Sequence, residues 1–220
     1  MHDSVKNLKL VKDKVNEIII KKQLKTNPTI IAVSKTFDLN KIFPVIECGH
    51  LNFGENKVQE AEVKWESFKN TNKNIKLHML GKLQSNKAKK AVKLFDFIHS
   101  LDNEKLALKI SQETKNLNKN VKIFIQVNLT SESQKTGLML NELNNFYNYC
   151  AKDLSLNIQG LMCLPPINSF SNKYFKILKD SSDRLNLKEL SMGMSADFED
   201  AVIHGSTYLR LGTAIFGKRS

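Results

Sequence analysis

Lys35 is the residue whose type and position most directly indicate chemistry in this sequence. It follows the apolar run 29–34 (TIIAVS), which predicts a short strand buried on both faces. Burial disfavours the charged ammonium group and can lower the pKa of a lysine by about 3 units or more. A partly neutral amine is a nucleophile that forms a Schiff base with an aldehyde. The alternative interpretation is a lysine that enters solvent where the strand ends.

Strand-like and helix-like segments alternate along the chain and would position this lysine. An amphipathic first helix carries Leu8, Val11 and Val15 on one face. The predicted strands cover residues 29–34, 51–54, 76–80, 95–99, 121–127, 156–162, 187–191 and 207–210. The predicted helices between them cover residues 38–48, 56–68, 85–94, 103–117, 139–152, 168–184 and 196–204, and a terminal turn covers 212–217.

Eight βα units in about 190 residues predict an α/β fold, a single (β/α)8 TIM-type barrel with an additional N-terminal helix. We expect one domain over residues 1–220, because no linker, repeat or low-complexity segment divides the chain. A doubly wound open sheet is the alternative. Such a sheet usually carries a glycine-rich first turn, and the first turn here, SKTFD, has no glycine.

The ends of the predicted strands carry most of the residues that could form a site. Active sites of such barrels form at the carboxyl ends of the strands. Polar and small residues, glycines and prolines dominate those ends, whereas Lys and Asn stand at the strand starts. The end segments are 34–36, 53–56, 81–86, 99–102, 127–129, 164–166, 191–195 and 210–213. We therefore expect the functional site on this rim.

Two of these end segments predict a phosphate site. Segment 191–195 (SMGMS) leads from the seventh strand into a helix, where Ser195 is a candidate N-cap beside free amides that bind anions. After the eighth strand, Gly212 lets the backbone approach a ligand closely and Thr213 adds a hydroxyl. Phosphate sites after strands seven and eight recur in barrels. The alternative for each segment is plain helix capping or a tight turn.

Barrel closure would bring Lys35 and the predicted phosphate segments together. The first and eighth strands of a closed barrel are neighbours. A cofactor with an aldehyde at one end and a phosphate at the other fits both features. The sequence therefore predicts pyridoxal 5′-phosphate (PLP) as the cofactor.

Seven stretches of the sequence carry a family resemblance that spans nearly the whole chain in order. They are IIAVSKTF, FGENKVQE, LGKLQSNK, FIHSLD, VNLTSESQKTG, GLMCLPP and LSMGMSADFEDAVIHGSTYLRLGTAIFGKR. With them the chain resembles the pyridoxal-phosphate homeostasis proteins (the YggS/PROSC type). That family is similar in turn to the barrel domain of alanine racemases, the fold-type III cofactor enzymes.

The resemblance implies roles for seven residues. Lys35 would form the covalent Schiff base, and Arg210 would face the pyridine nitrogen. The other implied cofactor-binding residues are Asn56 and Met194 beside the ring and Ser195, Gly212 and Thr213 at the phosphate. Lys82 departs from the family pattern, since its position is often His or Pro, and this puts only the local chemistry of the rim in doubt. The resemblance implies no metal ligand and no catalytic residue.

The implied contact between Arg210 and the pyridine nitrogen favours a carrier over an enzyme. An arginine stays protonated, so the ring nitrogen stays unprotonated and the ring is a poorer electron sink. Alanine racemases also need a second acid/base from a separate C-terminal domain, for which we expect no room after Thr213. We expect a protein that holds PLP as a lysine Schiff base, buffers or delivers it, and lacks robust catalytic activity. The alternative is a weak PLP-dependent amino-acid racemase or lyase.

Composition limits the classes of partner that we expect this protein to bind. The formal net charge is +12, which suggests nucleic acid. However, the lysines are scattered over nearly every predicted helix, and only three of the 34 basic residues are arginine, the residue that reads phosphates and bases in a bidentate manner. No stretch reaches the ~18 apolar residues that a membrane span needs. We therefore expect neither nucleic acid nor membrane as a partner.

The cysteine content predicts the compartment. Cys48, Cys150 and Cys163 are isolated, so neither a zinc site nor a disulfide framework is indicated. This pattern is typical of a reducing cytoplasm. We expect a cytoplasmic monomer whose recipients are PLP-dependent enzymes in their apo form.

Several other residues receive structural interpretations. Trp65 is expected to pack a helix against the barrel, and Cys163 is expected to be a buried core thiol. Four of the five histidines lack metal-ligand spacing and are expected in loops or on the rim. They are His50, His78, His99 and His204.

Overall fold

Parallel strands form the centre of the fold. A computed structural model describes residues 1–130, 136–166 and 171–218 of the 220-residue chain. Its strands are β1 (Thr29–Val33), β2 (Asn52–Glu55), β3 (Lys76–Met79), β4 (Phe97–Leu101), β5 (Lys122–Asn128), β6 (Leu138–Met139), β7 (Ile158–Met162), β8 (Glu189–Met194) and β9 (Tyr208–Leu211).

Eight of these strands close into a barrel. Their hydrogen-bonded order is β4-β3-β2-β1-β9-β8-β7-β5, and β4 pairs with β5 to complete the circle. Every pairing is parallel. This includes the pairing of β1 with β9, the first and last strands along the chain, in which Ile31 lies opposite Arg210. The two-residue strand β6 pairs with β5 outside the circle. The predicted (β/α)8 barrel is confirmed.

Helices surround the barrel. They are α1 (Asp3–Lys22), α2 (Leu39–Glu47), α3 (Val58–Thr71), α4 (Ala88–Leu94), α5 (Glu104–Asn116), α6 (Leu143–Asn148), α7 (Ser171–Arg184), α8 (Phe198–Ile203) and α9 (Thr213–Phe216). The predicted N-terminal helix is α1, which packs against α2, α8 and α9. Across the described ranges, none of the helices is both long and apolar enough to cross a membrane.

The strands are buried on both faces, as parallel strands covered by helices usually are. In β1, Ile30 and Ala32 belong to the large apolar core under the helices, whereas Ile31 and Val33 belong to a separate cluster inside the barrel. This alternation follows from the two-residue period of a strand. It explains why the sequence of β1 reads as an uninterrupted apolar run.

The helix predicted over 139–152 is present as a continuous run of helical turns, but it is not one α-helix. It begins as a 3-10 turn at Leu140–Glu142, continues as α6 and ends in a π-helical turn at Tyr149–Asp153. The sequence prediction also missed β6, because a two-residue strand leaves no periodic pattern.

The predicted end of the seventh barrel strand is also wrong. That strand, β8, extends to Met194 rather than stopping at residue 191. Ser191 therefore lies within the barrel wall and is fully buried, although the sequence placed it on the rim. Gly193 has a φ of +92°, a backbone conformation that favours glycine, and this allows the strand to bend as it reaches the rim.

Three predicted features extend outside the described residues. The helix predicted over 168–184 is described from Ser171 as α7, and its expected first residues lie outside the described ranges. Residues 131–135 of the stretch VNLTSESQKTG and the last two residues of the chain, 219–220, also lie outside them.

Candidate functional site

One cavity of about 420 Å³ opens at the carboxyl ends of the barrel strands. Its walls come mainly from the segments that follow β1, β2, β8 and β9. It is lined by Val33, Lys35, Phe37, Asn56, Leu80, Leu164, Met194, Ser195, Ala196, Arg210, Gly212, Thr213 and Gly217. All seven residues to which the sequence assigns a cofactor role therefore share this cavity. The sequence could place them together because strand order in a barrel determines which ends are neighbours.

Lys35 stands two residues beyond the end of β1 and is half-buried. The backbone on both sides of it is constrained. Before it, the Ser34 N–H donates to the Gly54 carbonyl of β2 at 3.0 Å. After it, Thr36 has a φ of +71°, which is costly for a β-branched residue and occurs where the surrounding structure enforces it. These constraints direct the Lys35 side chain to the cavity wall.

A buried carboxylate anchors the segment that carries Lys35. Glu55 Oε1 accepts hydrogen bonds from the Ser34 hydroxyl at 2.7 Å, from Lys64 Nζ at 2.9 Å and from Trp65 Nε1 at 2.9 Å. Lys64 Nζ also donates to the Ser34 carbonyl at 2.8 Å. Since Glu55 is fully buried, the ion pair with Lys64 compensates its charge. Sequence reasoning missed this cluster, because it placed Glu55 in the polar end segment 53–56 and not in the buried strand β2.

The Glu55 cluster also explains the position of Trp65. The indole lies in α3, is fully buried and packs 5.1 Å from the ring of Phe53 in β2. The prediction that Trp65 packs a helix against the barrel is confirmed. Asn56 follows Glu55 directly, so the cluster fixes a second residue of the cavity wall in addition to Lys35.

Arg210 is a buried cation at the inner wall of the cavity. Its Nη1 donates to the Ser191 hydroxyl oxygen and its Nη2 to the Cys163 carbonyl, both at 2.8 Å. Burial lowers the pKa of the guanidinium from its ordinary value, while Cys163 and Asp197 act to raise it. An arginine nevertheless remains charged in proteins, so the cavity contains a fixed positive charge.

Ser195 is not the N-cap of the following helix, contrary to the sequence prediction. That helix, α8, begins at Phe198 with Asp197 at the cap position. The Ser195 hydroxyl oxygen instead accepts a hydrogen bond from the Ala214 N–H at 3.1 Å. It therefore joins the segment after β8 to the segment after β9, which are the two segments predicted to hold phosphate.

Asp197 shapes the same region. Its Oδ1 accepts from the Met194 N–H at 2.6 Å, and its Oδ2 accepts from the Ser171 hydroxyl at 2.9 Å. The turn between β8 and α8 is thereby held in one conformation. Sequence reasoning did not single out Asp197, although an Asp three residues after a strand end is a common turn residue.

Gly212 leaves open space on the cavity wall. Its φ is −107°, so its backbone does not require a glycine. A Cβ added there would meet Val33 at 3.6 Å, an ordinary van der Waals distance. Neither backbone conformation nor the protein's own packing demands glycine, so the space in front of Gly212 is available to whatever occupies the cavity.

Two of the four histidine predictions are wrong. His78 lies in β3 and His99 in β4, and both are fully buried inside the barrel rather than in loops or on the rim. His99 was misplaced because the fourth strand ends two residues later than expected, at Leu101. His78 lies within the strand predicted over 76–80, so its assignment to a loop or the rim did not follow from that strand. His50 and His204 do lie in connecting segments, as predicted. In the part of the chain that the structure describes, no group of three or more His, Cys, Asp or Glu residues could hold a metal ion.

The cysteines are free, and two are buried. Burial raises the pKa of the Cys163 and Cys150 thiols to about 12. Since the thiolate is the reactive form, both should be inert in the folded protein. The prediction that Cys163 is a buried core thiol is confirmed.

We expect one fast-reacting thiol in the native protein. Cys48 is exposed and should react with Ellman's reagent within minutes, whereas Cys150 and Cys163 should react only after unfolding in denaturant. A Cys48→Ser variant should lose the fast phase and keep the two slow thiols. A second fast thiol in native protein would contradict the burial of Cys150 or Cys163.

Comparisons with known proteins identify the family to which the chain belongs. The family model for the alanine racemase N-terminal domain matches residues 12–220. The pyridoxal phosphate homeostasis protein of Pasteurella multocida is 34% identical over 86% of this chain and 86% of its own length. The protein of the same name from Escherichia coli K12 is 32% identical over 100% of this chain and 98% of its own length.

A solved structure shows the same fold. PipY of Synechococcus elongatus, determined with PLP bound, is 33% identical and matches with a TM-score of 0.81 over 92% of this chain and 100% of its own. The chain therefore belongs to the alanine racemase N-terminal domain family and, within it, to the pyridoxal phosphate homeostasis proteins.

Proposed function

We propose that this protein binds PLP in the cavity around Lys35 and serves intracellular vitamin B6 homeostasis by buffering or delivering the cofactor. The observation that carries the proposal is the single cavity that joins a lysine amine, a buried arginine and the hydroxyl-bearing segments after β8 and β9. The names of the relatives and the PLP-bound structure of PipY support it.

The residues present fit the aldehyde, the phosphate and the ring nitrogen of PLP. The cofactor's aldehyde supplies a carbon that a lysine amine attacks to form a Schiff base, and Lys35 is the lysine in the cavity wall. The open space before Gly212 accommodates a bulky group beside the Thr213 hydroxyl. Because the Ser195 oxygen accepts from Ala214, its own proton remains to be donated to an anion.

Arg210 is suited to the ring nitrogen. A guanidinium has five N–H donors, and the contacts recorded among the described residues use two of them, to Ser191 and Cys163. Pyridine nitrogen is an acceptor, and beside a permanent cation it stays unprotonated. Asn56 and Met194 line the same wall and would contact the ring faces or edges.

The carrier function is favoured over the alternative of a weak racemase or lyase. A ring whose nitrogen is unprotonated withdraws electrons poorly, so it stabilises a carbanion at the α-carbon of an amino acid weakly. The relatives quoted above from Pasteurella multocida and Escherichia coli are named homeostasis proteins rather than enzymes. The discriminating measurement is the exchange of amino-acid α-protons in deuterated water, which a racemase should catalyse at a useful rate.

We expect the substitution Arg210→Glu to raise α-proton exchange with added amino acids. A carboxylate at this position would favour the protonated ring nitrogen and so strengthen the electron sink. Deuterium incorporation is followed by NMR for wild type and variant, and cofactor occupancy is checked by absorbance. Arg210→Lys keeps the positive charge and should leave exchange at the wild-type level. Unchanged exchange in the Glu variant at full occupancy would mean either that Arg210 does not face the ring nitrogen or that the lack of a second acid/base alone limits the reaction.

The proposal extends to partners and location. Residues 1–220 would form one PLP-binding domain that acts as a cytoplasmic monomer and supplies apo PLP-dependent enzymes. A direct test mixes the PLP-loaded protein with an apo aminotransferase and follows the recovery of its activity against an equal concentration of free PLP. Light scattering measures the oligomeric state in the same samples.

A further inference from the structure

A chain of hydrogen bonds runs through the barrel interior from the cavity toward the opposite end. Arg210 Nη1 lies 2.8 Å from Ser191 Oγ, and Ser191 Oγ lies 2.8 Å from His99 Nδ1. His99 Nε2 lies 3.0 Å from His78 Nδ1, and His78 Nε2 lies 3.1 Å from Asn52 Oδ1. Asn52 begins β2, so the chain ends at the amino side of the barrel.

The donors in this chain can be assigned in one direction. Arg210 has only donors, so Ser191 Oγ accepts from it. The Ser191 hydroxyl proton then goes to His99 Nδ1, and His99 Nε2–H donates to His78 Nδ1. Finally His78 Nε2–H donates to Asn52 Oδ1. In the reverse direction His99 Nδ1 would donate to Ser191 Oγ, so the Ser191 hydroxyl proton would have no acceptor in this chain. The Asn52 side-chain amide would also have to be flipped, so that its nitrogen faces His78 Nε2.

The surroundings of the two imidazoles favour their neutral forms. His78 stacks on Phe97 with ring centroids 4.2 Å apart, and His99 stacks on Phe124 at 4.4 Å. Both histidines are fully buried. Burial is the main cause that holds their pKa values well below the ordinary value, and nearby basic groups lower these pKa values further. Two neutral rings can be donor and acceptor in series, as the chain requires.

We propose that His99 and His78 are positioning residues for Arg210, acting through Ser191. The chain commits the Ser191 proton to His99 and so keeps the Ser191 lone pairs directed at the guanidinium. The chain holds Arg210 through Ser191 on the side of the barrel interior, and this leaves the other guanidinium donors for the cavity. This inference rests on the proposed PLP site, because the orientation of Arg210 matters there for the ring nitrogen.

Protonation or loss of His99 would disturb Arg210 in a defined way. A protonated His99 would present a second N–H to Ser191 Oγ and place a cation in the chain that begins at Arg210. A residue without an acceptor at position 99 would leave the buried Ser191 hydroxyl proton unsatisfied. In either case Ser191 would stop being a fixed acceptor for the guanidinium.

The first test measures the tautomers directly and needs no cofactor. The full chain, labelled with ¹⁵N-histidine and prepared without PLP, is examined by NMR. We expect His99 and His78 to carry the proton on Nε2, with Nδ1 as an acceptor. A proton on Nδ1 of His99 would overturn the assigned chain. This outcome is independent of whether the protein binds PLP, so it separates failure of the chain from failure of the proposed site.

The second test measures PLP affinity in three variants. His99→Phe keeps an aromatic ring against Phe124 but removes both nitrogens, and we expect Kd to rise about tenfold or more, the scale of one charge-assisted hydrogen bond. His99→Gln retains one donor and one acceptor and should recover part of that loss. Ile98→Val changes the residue before His99 in β4, whose side chain belongs to the core under the helices, and it should lower stability without changing Kd.

Two results would overturn the positioning role. One is a Kd for His99→Phe within about twofold of wild type, a change smaller than one hydrogen bond. The other is an equal loss in His99→Phe, His99→Gln and Ile98→Val, which would indicate a general effect of stability. If wild type itself fails to bind PLP, the proposed function fails, whereas the tautomer measurement still decides whether the chain exists.

Discussion

Lys35→Ala should abolish the visible absorbance band of the PLP-loaded protein while the fold survives. The band arises from the Schiff base between the cofactor and a lysine, and Lys35 is the lysine that lines the cavity. Its half-buried side chain follows a strand whose own apolar residues are buried without it. The loss of the lysine should therefore cost little stability. Far-ultraviolet circular dichroism and thermal unfolding test that expectation beside the absorbance spectrum.

Lys82→Ala is the matched control for this substitution. Lys82 is also a lysine on the carboxyl-end rim, but it is exposed and does not line the cavity. Its removal should leave the band unchanged. Borohydride reduction followed by peptide mapping should find the cofactor on Lys35 in wild type. Recovery of the cofactor on a different lysine would contradict the assignment of Lys35 as the Schiff-base lysine.

The sequence could predict the fold and the place of the site because both depend on periodic features. Alternating strands and helices specify a closed parallel barrel, and barrel closure makes the ends of β1 and β9 neighbours. Lys35 and Gly212 are therefore brought to one cavity by topology alone. A shift of one or two residues at a strand end does not change which strand ends are adjacent.

Small errors in the predicted strand ends do, however, lead to wrong predictions about which side chains point into the barrel. Because side chains alternate faces along a strand, the role of Ser191 depends on where β8 ends, and the sequence placed that end three residues too early. His99 was misplaced by the same error in β4. A strand buried on both faces has no amphipathic pattern from which the correct strand end could be predicted. The hydrogen-bonded chain behind Arg210 was therefore invisible to sequence reasoning.

Capping was mispredicted for a related reason. A serine between a strand and a helix is a good N-cap candidate, and Ser195 fits that description. In the folded chain the helix begins at Phe198, two residues later than predicted, and Ser195 accepts a hydrogen bond from Ala214, nineteen residues along the chain. Local sequence carries no information on such a long-range partner. The proposal that Ser195 binds the phosphate does not depend on the cap, because Ser195 lines the cavity in either case.

Pyridoxal without its phosphate should bind far more weakly than PLP. We propose that the Ser195 and Thr213 hydroxyls and the backbone at Gly212 hold the phosphate. A hydrogen bond to a charged group contributes about 1.5–3 kcal/mol, so the loss of three of them should raise Kd by about a thousandfold or more. Equilibrium binding is measured in the Lys35→Ala variant, where covalent attachment cannot mask the difference.

Thr213→Val provides the sharper form of this last prediction. It removes one hydroxyl from an exposed residue of the cavity wall with little change in volume. The affinity for PLP should fall by about tenfold, whereas the affinity for pyridoxal should not change. The ratio of the two affinities therefore reports the phosphate contact alone, since any general damage to the cavity weakens both ligands. Equal affinities of wild type for PLP and pyridoxal, or a proportional loss of both in the variant, would place the phosphate elsewhere.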